Sequence, residues 1–246
     1  MPLSFLSKSS LTIAAGAMLT VNALMLPSMA NGSREKARQG LPGRRISGGV
    51  REGNCFQDFN QSLVAIMPRN NLGKTASERP SFWFSVPATV DEKDAEFQLF
   101  DHNDEQVYST LVRVSEEQGL SEFKLPDSVP SLEVDKAYRW TFSVGCTDSS
   151  QFVVQGWVQR VNMTEDLMAR VEAASLEEKV SLYSSSGLWL DHVSALMSLR
   201  QDDLANADLQ IRWADLIAST GLTSYISSDI TEAMSALETS ALSASY

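Results

Sequence analysis

The sequence predicts an all-β immunoglobulin/fibronectin-like sandwich over residues 55–161, followed by an all-α, tetratricopeptide-like helical subdomain over residues 162–240. Three observations carry this expectation. Beyond Tyr138 every second residue is apolar, namely Trp140, Phe142 and Val144, the period-2 signature of a strand with one buried face. Short runs of this kind recur between residues 61 and 161, separated by turn residues, with proline confined to the turns. From Thr164 onward the apolar period changes to the 3.6 of an amphipathic helix.

The first thirty residues read as a signal peptide. Lys8 supplies positive charge, Leu11 to Leu26 an apolar stretch, and Ser28-Met29-Ala30 a small-residue cleavage site. That stretch is about 16 residues long, short of the roughly 20 that a membrane span needs. The expectation is an exported chain, periplasmic, envelope-associated or extracellular, with no transmembrane segment after cleavage. Residues 31–54 form a basic, glycine-rich leader, read as a flexible arm, with Arg34, Lys36, Arg38, Arg44, Arg45 and Arg51 against a single acid, Glu35. From Glu52 onward 30 acidic side chains oppose 13 basic ones, a balance that repels nucleic acid.

Seven strand candidates follow: residues 62–67, 81–86, 95–100, 106–114, 120–125, 137–146 and 151–161. Leu132 and Tyr138 bracket the turn before the sixth and resemble a tyrosine corner, whose hydroxyl bonds back to the preceding turn. Strand parity sets Phe82, Phe84 and Val86 on one face and Trp83 on the other; Phe152, Val154 and Val158 likewise leave Trp157 opposite. A tryptophan on each outer face requires either cover from the helices or a ligand, which makes Trp83 and Trp157 the candidate binding surface. Cys55 and Cys146 are the only cysteines; in an exported chain they are expected to form one structural disulfide.

Thr164 is a suitable N-cap, Ser175 with Glu178 forms a capping box, and Gly187 and Gly221 stand where helices stop. A fifth, weaker helix is expected from Asp229, with a frayed tail over residues 241–246. Leu182-x4-Gly187-Leu188 recurs as Leu216-x4-Gly221-Leu222, a displacement of about 34 residues that matches the tetratricopeptide period. One and a half such repeats cannot stand alone and must pack against the outer face of the strands.

Motifs for chemistry are sparse. His102 falls in a polar hairpin and His192 borders an apolar helical face, neither with a ligand partner at metal spacing. Neither a GxSxG elbow nor a GxxxxGK[ST] loop occurs in the sequence. Ser121-x-x-Lys124 lies in a predicted strand and not at the helix start that a Ser/Lys enzyme uses. Asp101-x-Asn103-x-Glu105 opens like a calcium loop but continues with Gln106 and Val112 where glycine and glutamate are required. The expectation is a chain with no catalytic residues, no metal and no cofactor.

Several strings together carry a resemblance: Asn71-Leu72-Gly73-x-Thr75-x-Ser77-Glu78-Arg79-Pro80, Phe82-Trp83-Phe84, Leu132-Glu133-Val134, Gly156-Trp157-Val158-Gln159-Arg160, and Gly187-Leu188-Trp189-x-Asp191. The chain resembles the cyanobacterial secreted family known as domain of unknown function 928, over roughly residues 50 to 222. The resemblance implies export and no assigned activity. The functional expectation is therefore a non-catalytic interaction module that binds an envelope or periplasmic protein through a helical groove or a sheet edge. Recognition of envelope or extracellular polysaccharide by Trp83 and Trp157 is the alternative.

Overall fold

The structure is a computed structural model, and it describes residues 43–48, 55–58, 60–114, 116, 118–147, 150–203 and 205–226. The expected signal peptide, the start of the leader, the expected fifth helix and the expected tail lie outside the described residues.

Among the described residues eight strands form two sheets. They are β1 (Val64–Ala65), β2 (Leu72–Thr75), β3 (Ser81–Val86), β4 (Lys93–Phe100), β5 (Gln106–Val114), β6 (Gly119–Lys124), β7 (Ala137–Thr147) and β8 (Ser150–Arg160). One sheet has the order β1-β3-β6 and the other β2-β8-β7-β4-β5. All pairings are antiparallel except β2 with β8. Four helices follow: α1 (Glu165–Ala173), α2 (Leu176–Ser185), α3 (Trp189–Asp202) and α4 (Ala207–Thr220), with a 3-10 turn at Thr223–Tyr225.

The fold is thus mixed α/β, and this corrects the expectation of an immunoglobulin-like all-β sandwich followed by a tetratricopeptide-like all-α subdomain. The reason lies in β3, which is apolar on both faces. Phe82, Phe84 and Val86 enter a core shared with Phe97, Trp140, Phe142 and Val154 of the five-stranded sheet. On its other face Trp83 joins Val64, Ile66, Val193, Leu196, Trp213 and Ile217. The helices are therefore a third layer on the small sheet. The parallel strand β2 is a second departure, since its first two residues sit in a stretch that the sequence marks as a turn, Arg69 to Gly73.

Local signals explain each helix. The Thr164 side chain accepts from the backbone N–H of Leu167, and the capping box at Ser175 and Glu178 is complete. Asn206 caps α4 by accepting from Asp208 and Leu209. Gly187 and Gly221, at φ of 69° and 73°, end α2 and α4 in the left-handed region that favours glycine. Gly156 is required for another reason: a Cβ there would stand 2.5 Å from the Trp140 ring.

Part of the leader belongs to this frame. Arg44 bridges to Gln155 in the large sheet and Ile46 to Val64 in the small one. Between them the Arg45 guanidinium donates to the carbonyls of Met67 (3.2 Å) and Thr220 (2.9 Å), and Arg69 donates to Ser219 (2.8 Å). Two cations thus sit at the negative end of the α4 dipole.

Candidate functional site

The end of α2, the start of α3 and the outer side of α4 enclose a groove of about 540 Å³. Its lining is built from helix periodicity. Tyr183 from α2 and Trp189 and His192 from α3 are half-buried, while Leu216 of α4 lies buried at the base. Ser184, Arg212 and Asp215 bring hydroxyl and both signs of charge. Glu177 of α2 accepts from Arg212 of α4 at 2.9 Å and ties the two helices together.

Two contacts hold this groove on the sheets. Trp189 Nε1 donates to the Ile66 carbonyl at 3.0 Å, and its ring meets His192 edge-on at 6.4 Å. Asp191 accepts from the Ala76 backbone N–H at 3.0 Å. Burial pushes its carboxyl up, against the pull of that bond and of those from Thr75 and Ser77. Burial likewise pushes the His192 imidazole down and the Tyr183 phenol up, the latter with help from Asp191. Near neutral pH both rings present uncharged hydrogen-bonding groups.

The residues singled out in the sequence do not converge on one place. Cys55 and Cys146 are bonded, with Cα atoms 4.9 Å apart. The Tyr138 hydroxyl accepts from the Glu133 N–H at 3.2 Å, beside the buried Leu132. Trp83 is 5% exposed beneath α3, donating to Ser194 Oγ at 3.2 Å, so no ligand can reach it as the helices lie. Trp157 is half-buried on the far side of the large sheet, in register with Leu72 and Arg139. The two tryptophans therefore belong to different surfaces. At the hairpin, Asp101 Oδ1 accepts from Asn103 (2.8 Å) and Glu105 (3.0 Å), and Asp104 pairs with Arg139. These acids serve the turn, and among the described residues no group of three His, Cys, Asp or Glu could hold a metal.

The strings that carry the resemblance have a structural meaning. Arg160 donates to Glu78 at 2.9 Å and to the Leu132 carbonyl at 3.0 Å, and Ser131 donates to Glu78 at 2.8 Å. The Ser131 hydroxyl and Arg160 hold the Glu78 carboxyl below its usual range. Together with Asp191 on Ala76, this network locks the loop after β2 to the large sheet and to α3. It builds a scaffold. The groove residues Arg212 and Asp215 had no sequence signal, because nothing local shows that α4 faces α2.

Comparison with known proteins adds a family and little else. The family model described as Domain of Unknown Function (DUF928) matches residues 46–230. No curated protein matches. Among solved structures, a Parabacteroides merdae beta-glucuronidase with glycerol in its active site is 16% identical, over 33% of this chain and 11% of that one, at a TM-score of 0.25. The apo Bacteroides uniformis beta-glucuronidase 3 is 10% identical, over 43% of this chain and 15% of that one, also at 0.25. The chain spans no more than 15% of these two structures' length, and similarity at this level carries no inference about activity.

Proposed function

Because the chain belongs to the DUF928 family, which assigns no activity, we propose from its own geometry that it is an exported, non-catalytic binding protein of a cyanobacterial envelope or periplasm. It takes an apolar segment of a partner protein into the groove between α2, α3 and α4. The observation that supports this reading is the groove itself: about 540 Å³, with Tyr183, Trp189 and His192 on a floor tied to the sheets and Arg212 and Asp215 on its wall. A site of this size accepts two or three side chains, and an apolar floor with a few polar groups is the usual composition of a binding pocket. The charges of opposite sign fix the orientation of a bound backbone. The disulfide and the signal-like start are consistent with export.

Selection of random phage-displayed peptides against the whole chain tests the reading. Peptides with hydrophobic anchors should be enriched, and their binding should shift tryptophan fluorescence through Trp189. Ser184→Trp, which fills the groove from an exposed helix position, should abolish binding without loss of folding. Selection of no peptide, or only of peptides that bind this variant equally well, would refute the proposal.

A further inference from the structure

The free edges of the two sheets are unequal. On the small sheet, β6 presents Glu122 and Lys124, exposed charges of the kind that protect an edge from pairing. On the large sheet the edge strand opposite β2 is β5, nine residues long and without a charge between Glu105 and Arg113. Its outward residues include Val107, 41% exposed, and Leu111, 70% exposed. The register steps from Leu99↔Tyr108 to Phe100↔Gln106, so Val107 is the extra residue of a bulge. Strand alternation sets Val107 on the outer face together with Ser109, Leu111 and Arg113, all exposed.

This edge is complementary to itself. Antiparallel pairing of two copies about Ser109 sets Leu111 of each opposite Val107 of the other, covering both exposed apolar residues. The same register lays Arg113 of each beside the acidic turn at Glu105 of the other. Arg113 at present pairs with Glu92 at 3.2 Å, with both side chains more than 60% exposed, a solvent-screened contact that is easily exchanged. Registers displaced by two residues set Leu111 opposite Ser109 and Arg113 opposite Val107, or Leu111 opposite Glu105 and Arg113 opposite Asn103, and neither pairs the two apolar residues. We propose that two copies of this chain associate through β5, continuing the five-stranded sheet into a ten-stranded one across a two-fold axis at Ser109.

Sedimentation of the full mature chain tests this. A dimer is expected, weakened about tenfold or more by Leu111→Lys and by Arg113→Glu or Glu105→Lys singly, since each change acts twice in a symmetric pair. The double charge reversal should restore association, which a merely misfolded variant would not. Ser109→Cys should form an intermolecular disulfide under mild oxidation, while Thr110→Cys, which faces Tyr108 in this register, should not. A chain that stays monomeric, or a dimer indifferent to all three single changes, overturns the proposal. Cross-linking through Leu111→Cys in place of Ser109→Cys overturns the register and the charge argument with it.

Discussion

The two cores of this molecule are built by different rules, and β3 belongs to both. Between the sheets, Phe84 and Phe142 stack with centroids 4.1 Å apart, and Trp140 meets Phe82 and Phe84 at 5.5 and 5.7 Å. All of these come from strands paired along most of their length. On the other face of β3 the packing joins one short sheet to helices more than a hundred residues away in sequence: Trp83 to Ser194, Ile66 to Trp189. The first core is dense in stacked rings from paired strands, such as Phe84 on Phe142, while the second is tied to the small sheet by anchors at still longer range. The lesson is that the helix layer is fixed by far fewer contacts than the sheets that carry it.

The sharpest way to break the first core is Trp140→Ala. Trp140 is fully buried and lies on Gly156, so a cavity opens between the sheets. The expected loss is about 4–5 kcal/mol, read from denaturant midpoints. Trp83→Ala should cost less, about 3 kcal/mol, because the sheets survive it. Hydrogen exchange should then show α3 and α4 losing protection while β4, β7 and β8 keep theirs. Uniform loss across all elements would mean that the two cores unfold as one.

The smallest effect separates the helix layer by pH. The His192 pKa is lowered by burial, so the unfolded chain takes up this proton first as the solution is acidified. Its contribution is fully present above the unfolded value of about 6.5 and is lost as pH falls toward the folded value. Melting temperature should therefore drop between about pH 7.5 and 5.5, and drop less in His192→Gln. Asp191, whose pKa is raised by burial, acts with the opposite sign at lower pH. The comparison with the glutamine variant isolates the imidazole.

Much of the strand layer was legible because its signals are local. Trp140, Phe142 and Val144 alternate, Tyr138 closes its turn, and Thr164 and Ser175 announce their helices. Parity alone placed Trp83 opposite Phe82 and Phe84. What parity cannot show is which element covers the indole, and that choice turned an expected all-β domain into a mixed fold. The parallel strand β2 was hidden because a four-residue strand beside Asn and Gly looks like a turn until β8 supplies its partner. The groove was hidden for the same reason. Arg212 and Tyr183 approach each other only once α3 is seated, and the contacts that seat it, Trp189 on Ile66 and Asp191 on Ala76, span more than a hundred residues.

The segment at Arg44 to Ile46 gives the molecule a load path. It touches the large sheet at Gln155, the small sheet at Val64 and the end of α4 at Thr220 within three consecutive residues. Tension applied through the chain preceding Gly43 would enter all three layers together, where an edge strand bound on one side would peel away bond by bond. Shear spread over both sheets resists pulling better than unzipping does. A proteolytic cut just after Arg45 would part the Gln155 and Thr220 attachments from the rest of the chain and leave Ile46 bridged to Val64.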